Sequence, residues 1–170
     1  MGAADRPTTA LIGAAGEHYV MSQLLRQGFV AALAPQGAPG VDILVTDAAA
    51  GVMRAIQVKT RQGAAAIPGW RMAARHETAA APGLLYCLVD FGVGLAAPVD
   101  VFVLPAAVVA EVLATSHRAW LAAPGRGGRR RQDSEVRRLL ADHSGDFGAD
   151  SAYGPGWLEP YRNAWDRIGA

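Results

Sequence analysis

Two apolar, β-branched runs, residues 41–46 (VDILVT) and 52–60 (VMRAIQVKT), are separated only by a short turn region at 47–51. Branched and aromatic side chains suit a pleated, half-buried surface, and strands joined this closely can pair only as an antiparallel hairpin. Such a hairpin needs cover on at least one face. Residues 10–27 can supply it: Gly13, Val20-Met21 and Leu24-Leu25 recur at three- and four-residue spacing, which defines one apolar helical face. Thr8 and Thr9 are good N-caps for that helix, and Gly28 provides its stop.

The rest of the chain extends the same pattern. Residues 29–33, 84–91 and 99–104 read as further strands, and Pro105 opens a helix over 106–114. Residues 70–76 read as a strand edge entering a short Ala-rich helix at 77–81, and a second short helix is expected over 133–141. A Gly/Arg-rich loop covers 124–132, a long Gly/Asp/Ser loop covers 143–156, and a closing amphipathic helix near 157–168 places Trp157, Tyr161, Trp165 and Ile168 towards one side. This order predicts one α/β (α+β) domain over 10–170, a mixed central sheet flanked by helices, behind a flexible tail at 1–9.

Composition excludes several classes. A hydrophobic fraction of 51%, with Lys+Arg 16 against Asp+Glu 15, is that of an ordinary globular chain, and net charge alone names no partner. No apolar run approaches the roughly 20 residues that span a bilayer, and the N-terminus lacks the basic-then-apolar order of a signal peptide. The expectation is a cytoplasmic protein without membrane contact. The single cysteine, Cys87, lies in an apolar run and reads as a small buried hydrophobe.

Within the basic residues one position stands out. Lys59 is the only lysine among sixteen basic side chains. A compact ammonium whose pKa responds to burial differs chemically from a planar guanidinium. Lys59 and Gln57 are two apart on the second hairpin strand and so share a face, while Ile56 and Val58 point to the other. Asp42 opens the first hairpin strand, at the mouth of the sheet. If Asp42 and Gln57 are to meet, directly paired hairpin residues must have numbers adding to an odd total, as Asp47 opposite Val52 does. Glu17 projects from the helix face that should be buried, where a carboxylate needs a cation or access to solvent. Glu17, Asp42, the Gln57 amide and the Val58 carbonyl are oxygen donors of the kind magnesium takes, and Lys59 can orient water or stabilise charge on a phosphate.

The order Gly16-Glu17 on a first helix, Gly40-Val41-Asp42 on a strand and Gln57-Val58-Lys59 on the next resembles the PD-(D/E)XK nuclease superfamily over roughly residues 10–105. Glutamine in place of the usual acid is similar to the branch containing group I intron homing endonucleases, although Val41 stands where proline is usual. The resemblance implies a restriction-endonuclease-like fold, hydrolysis of DNA with Mg2+ (Mn2+ substituting), Glu17, Asp42 and Gln57 as metal positions, Lys59 as the catalytic lysine, and homo-oligomers as a known arrangement. A catalytically silent module that binds nucleic acid or a protein is the alternative, and a subunit serving only assembly is a third. Each site residue also has an ordinary reading: a helix acid paired with arginine, a strand cap, the solvated side of an edge strand. Arg126, Arg129, Arg130 and Arg131, with Arg137 and Arg138 beyond them, form a candidate phosphate-contacting segment or a solvated loop. The four histidines show no metal-ligand spacing.

Overall fold

The computed structural model describes residues 7–47, 51–63, 68–147 and 151–169, with Arg126 described by its backbone alone. Most of the tail expected at 1–9 and the centre of the hairpin turn therefore lie outside the described residues. Helix α1 (Thr9–Arg26) starts where Thr8 accepts a bond from the Leu11 amide at 3.3 Å, and it ends before Gly28, whose φ of 88° only glycine adopts freely. Five strands form the main sheet: β1 (Phe29–Leu33), β2 (Ile43–Asp47), β3 (Met53–Arg61), β5 (Leu84–Asp90) and β6 (Asp100–Pro105), in the order β1-β2-β3-β5-β6. Only β3 and β5 run parallel. A parallel pair requires a crossover, and here it carries β4 (Trp70–Ala73) and a 3₁₀ turn at Ala74–Glu77. A separate two-stranded ribbon pairs β4 with β7 (Val136–Leu139).

The sheet divides two cores. On one face α1 lays Val20 and Leu24 against Ile43, Val45, Ile56, Val58, Cys87, Val101 and Val103. On the other, helix α2 (Ala106–Ala122) sets Val109, Val112 and Leu113 against Tyr86, Leu88, Phe102 and Leu104, with Trp70 and Leu139 from the ribbon. That second layer covers β5 and β6 and leaves the corresponding face of β1 and β2 open, where Val30 is 58% and Leu44 38% exposed. Among the described residues no helix is long and apolar enough to cross a membrane.

Four local expectations are corrected. α2 continues past 114 to Ala122, and the Thr115 and Ser116 hydroxyls are accommodated in it by bonds back to the Glu111 and Leu113 carbonyls. The helix expected over 77–81 is instead the 3₁₀ turn at Ala74–Glu77. Residues 133–141 hold strand β7, whose alternate residues Arg137 and Leu139 are buried, a period of two rather than 3.6. The closing helix at 157–168 is replaced by a 3₁₀ turn at Glu159–Tyr161 and a single turn, α4 (Asp166–Gly169), with α3 (Ser144–Phe147) another single turn before them. Between these closing turns Asn163 adopts φ 49° and its amide bonds to the Val101 carbonyl at 2.8 Å. The chain thereby crosses the β6 edge, and Trp157 and Trp165 end in different cores rather than on one helical face.

Candidate active site

The hairpin register sets the geometry. Ile43 pairs with Ile56, Leu44 with Ala55, Val45 with Arg54 and Thr46 with Met53, an odd-total register that puts Asp42 and Gln57 on one face at the open end of the ladder. The turn before it passes through Gly40 at φ 72°, a conformation that strains any side-chain-bearing residue, and it delivers Asp42 with its amide bonded to the Ile56 carbonyl at 2.8 Å. One Asp42 carboxylate oxygen, Oδ2, accepts both the Val58 amide at 2.7 Å and the Gln57 side-chain amide. In a strand the N–H and C=O of one residue leave on the same edge, so the Val58 carbonyl also faces the space beyond the start of β2. Gln57 is 5% exposed, buried rather than on a solvated edge.

Glu17 reaches this point because α1 lies very close to β3. A Cβ built on Gly16 would stand 1.9 Å from Thr60 Oγ1, so only glycine permits the contact that brings the next residue beside the strand. Burial, and then the charge of Asp42, push the Glu17 carboxyl above its ordinary pKa. Burial likewise holds the Lys59 ammonium below the usual lysine range, Arg75 adding to the effect while Asp42 and Glu17 oppose it. Lys59 forms no ion pair within 4 Å among the described residues. A carboxyl whose ionisation is disfavoured by burial and by a neighbouring carboxylate, near a half-buried lysine without a salt bridge, makes an arrangement that a bound cation would relieve.

The donor set fits magnesium in kind: two carboxylates, a carbonyl and an amide oxygen, few enough for a hard ion that retains water. Among the described residues no group of three His, Cys, Asp or Glu is placed to hold a metal ion, and this site offers two carboxylates with amide and carbonyl oxygens beside them. Gln57 turns its NH2 towards Asp42, and a half-turn of that amide presents the oxygen instead.

The arginine segment does not act as one unit. Arg129 and Arg130 are exposed, whereas Arg131 lies over the Trp120 ring at 4.7 Å and donates to the Trp120 carbonyl at 2.9 Å. Arg137 is 6% exposed, ion-paired with Glu77 and 3.2 Å from Asp133, so its guanidinium is already engaged and is not offered to phosphate. Arg138 is half-buried on the other face of β7, and the Arg126 side chain lies outside the described residues. Two side chains that sequence spacing did not single out stand in the field of Lys59: Arg75 and His76, on the crossover turn. Their short segment carries no motif, and only the crossover brings it to the site.

No family model and no curated protein matches this chain. Among solved structures it is similar to a bacterial homing endonuclease, I-Ssp6803I, at 12% identity over 95% of this chain and 91% of that one, with a TM-score of 0.52. A weaker match is Hjc, a Holliday junction resolvase from Archaeoglobus fulgidus, at 16% identity, 75% and 83% coverage and a TM-score of 0.42. The class defined by the sheet order, the flanking helices and the first of these likenesses is the restriction-endonuclease-like α/β fold.

Proposed function

We propose that this chain is a divalent-metal-dependent endonuclease that hydrolyses DNA phosphodiester bonds, with Glu17, Asp42, Gln57 and the Val58 carbonyl as metal positions and Lys59 as the catalytic lysine. The observation that carries the reading is the convergence at the mouth of the hairpin: Asp42 bonded across to Gln57 and Val58, Glu17 brought in by Gly16, and Lys59 half-buried without an ion pair. The fold shared with a homing endonuclease supports it. Magnesium, with manganese substituting, would supply a Lewis acid for the phosphate and a more acidic water. Asp42 and Glu17 would hold that ion through their carboxylate oxygens. Lys59 would stabilise the charge gathering on the phosphate as the water gives up a proton to solvent and its oxygen bonds to phosphorus, while the ester P–O bond breaks and the leaving oxygen takes a proton from solvent.

The test is supercoiled plasmid incubated with the purified protein, with magnesium or with a chelator, beside Asp42→Asn and Lys59→Ala. Nicking or linearisation that needs magnesium and falls at least about a hundredfold in both variants is the expected result. Calorimetric titration with manganese should show binding lost in Asp42→Asn while the variant stays folded. Duplex binding without cleavage by the wild type would replace this reading with that of a silent nucleic-acid-binding module, and absence of both would leave a protein-binding role.

A further inference from the structure

On the sheet face that carries Gln57 and Lys59, next to the Gly40 turn that leads into Asp42, lies an open cleft of about 550 Å³, lined by Gly40, Leu44, Met53, Arg75, His76 and Tyr86 among others. Its volume falls within the roughly 300–1,000 Å³ of small-molecule sites. One wall is the sheet face that α2 leaves uncovered, where Leu44 is 38% and Met53 70% exposed. The opposite wall is the crossover turn. There Arg75 is exposed and has no acidic partner within ion-pairing distance among the described residues, although Lys59 is near enough for each cation to act on the other. His76, 3% exposed, accepts the Ala73 amide on Nδ1 at 3.0 Å, and its Nε2 has no partner among the described residues. An exposed guanidinium without an acidic partner among the described residues, facing an apolar wall, is complementary to an anion that carries an apolar body.

We propose that this cleft is a nucleotide subsite next to the scissile position, in which Arg75 takes a backbone phosphate of the DNA strand and the Leu44–Met53 wall takes the sugar and base. The inference rests on the nuclease reading and adds a substrate-binding surface to it. Arg75 is the group that holds the strand in register with Lys59, and it takes no part in the metal site. Its guanidinium offers a bidentate fork to phosphate oxygens, and Lys59 remains free for the reacting group.

The experiment measures binding of a labelled DNA duplex by anisotropy at several salt concentrations, with calcium in place of magnesium to hold back cleavage. Arg75→Ala should weaken binding and lower the slope of log affinity against log salt by roughly 0.9, and Arg75→Lys should restore the slope. Manganese binding by Arg75→Ala should stay at the wild-type value. In protein labelled at methionine methyls, saturating duplex should shift the Met53 signal and leave that of Met21, on α1 against the opposite core, in place. An unchanged slope, or a Met53 methyl unmoved at saturation, overturns the subsite while wild-type binding and cleavage keep the nuclease reading standing. Failure of the wild type to bind duplex overturns both.

Discussion

His76 shows what a single side chain contributes here. Its ring is enclosed against Tyr86, at 5.9 Å between centroids, and burial with the nearby charges of Lys59 and Arg75 lowers its pKa to about 4. The unfolded value is 6.5, so the unfolded chain gains a proton before the folded one does. Stability held above pH 6.5 is therefore lost as the pH falls towards 4, by about 2 kcal/mol at pH 5. His76→Gln cannot take up that proton, and urea unfolding at pH 7 and pH 5 should show a correspondingly smaller acid loss. Equal losses in variant and wild type would mean that the ring is protonated in the fold. Residues of this kind were not legible in the sequence, where His76 is one of four scattered histidines. Lys59 and Asp42 were, because each sits where a strand period or a strand start already fixes its direction.

Among the elements, the contact of α1 with β3 decides whether Glu17 reaches the site. Gly16→Ala would drive a methyl into Thr60 and force the helix outward, which should cost about 1–3 kcal/mol of stability and weaken manganese binding as Glu17 withdraws. Pairing it with Thr60→Ala should return part of both losses, since the Oγ1 clash is removed, and the non-additivity of the cycle measures the contact. Full additivity would indicate that α1 is not limited by this approach. The odd-total register was the condition for Asp42 and Gln57 to meet, and the pairing of Ile43 with Ile56 satisfies it; the helix itself could be read from apolar spacing because local periodicity determines it. Strand β7 could not: Val136-Arg137-Arg138-Leu139 carries its strand character only through pairing with β4, more than sixty residues earlier, and through burial of the Arg137–Glu77 pair. The closing segment departs from a helix for a similar reason. Its aromatic spacing suits a helix, yet Pro160 and the left-handed Asn163 let it pass over a sheet edge instead.

For the molecule as a whole, the order of helix, hairpin and later strands led to a mixed sheet flanked by helices, and the resemblance carried by Gly16-Glu17, Gly40-Val41-Asp42 and Gln57-Val58-Lys59 implied the restriction-endonuclease-like class, while the division of labour among the arginines needed the tertiary structure. Arg129 and Arg130 are exposed beyond the end of α2, and if they follow a DNA backbone their joint replacement by alanine should lower the salt slope of duplex binding by about 1.8, with metal binding intact. A slope unchanged by that double replacement would assign them to solvent. The stitching of the two cores by residues 157–168 bears on the making of the protein. Trp165 and Ile168 belong to the core beneath the hairpin, and the Ile168 carbonyl accepts a bond from Arg54 on β3 at 2.8 Å. A ribosome delivers the hairpin more than a hundred residues before those partners. Until translation has passed Ile168, the hairpin strands that follow Asp42 and carry Lys59 lack part of their buried face.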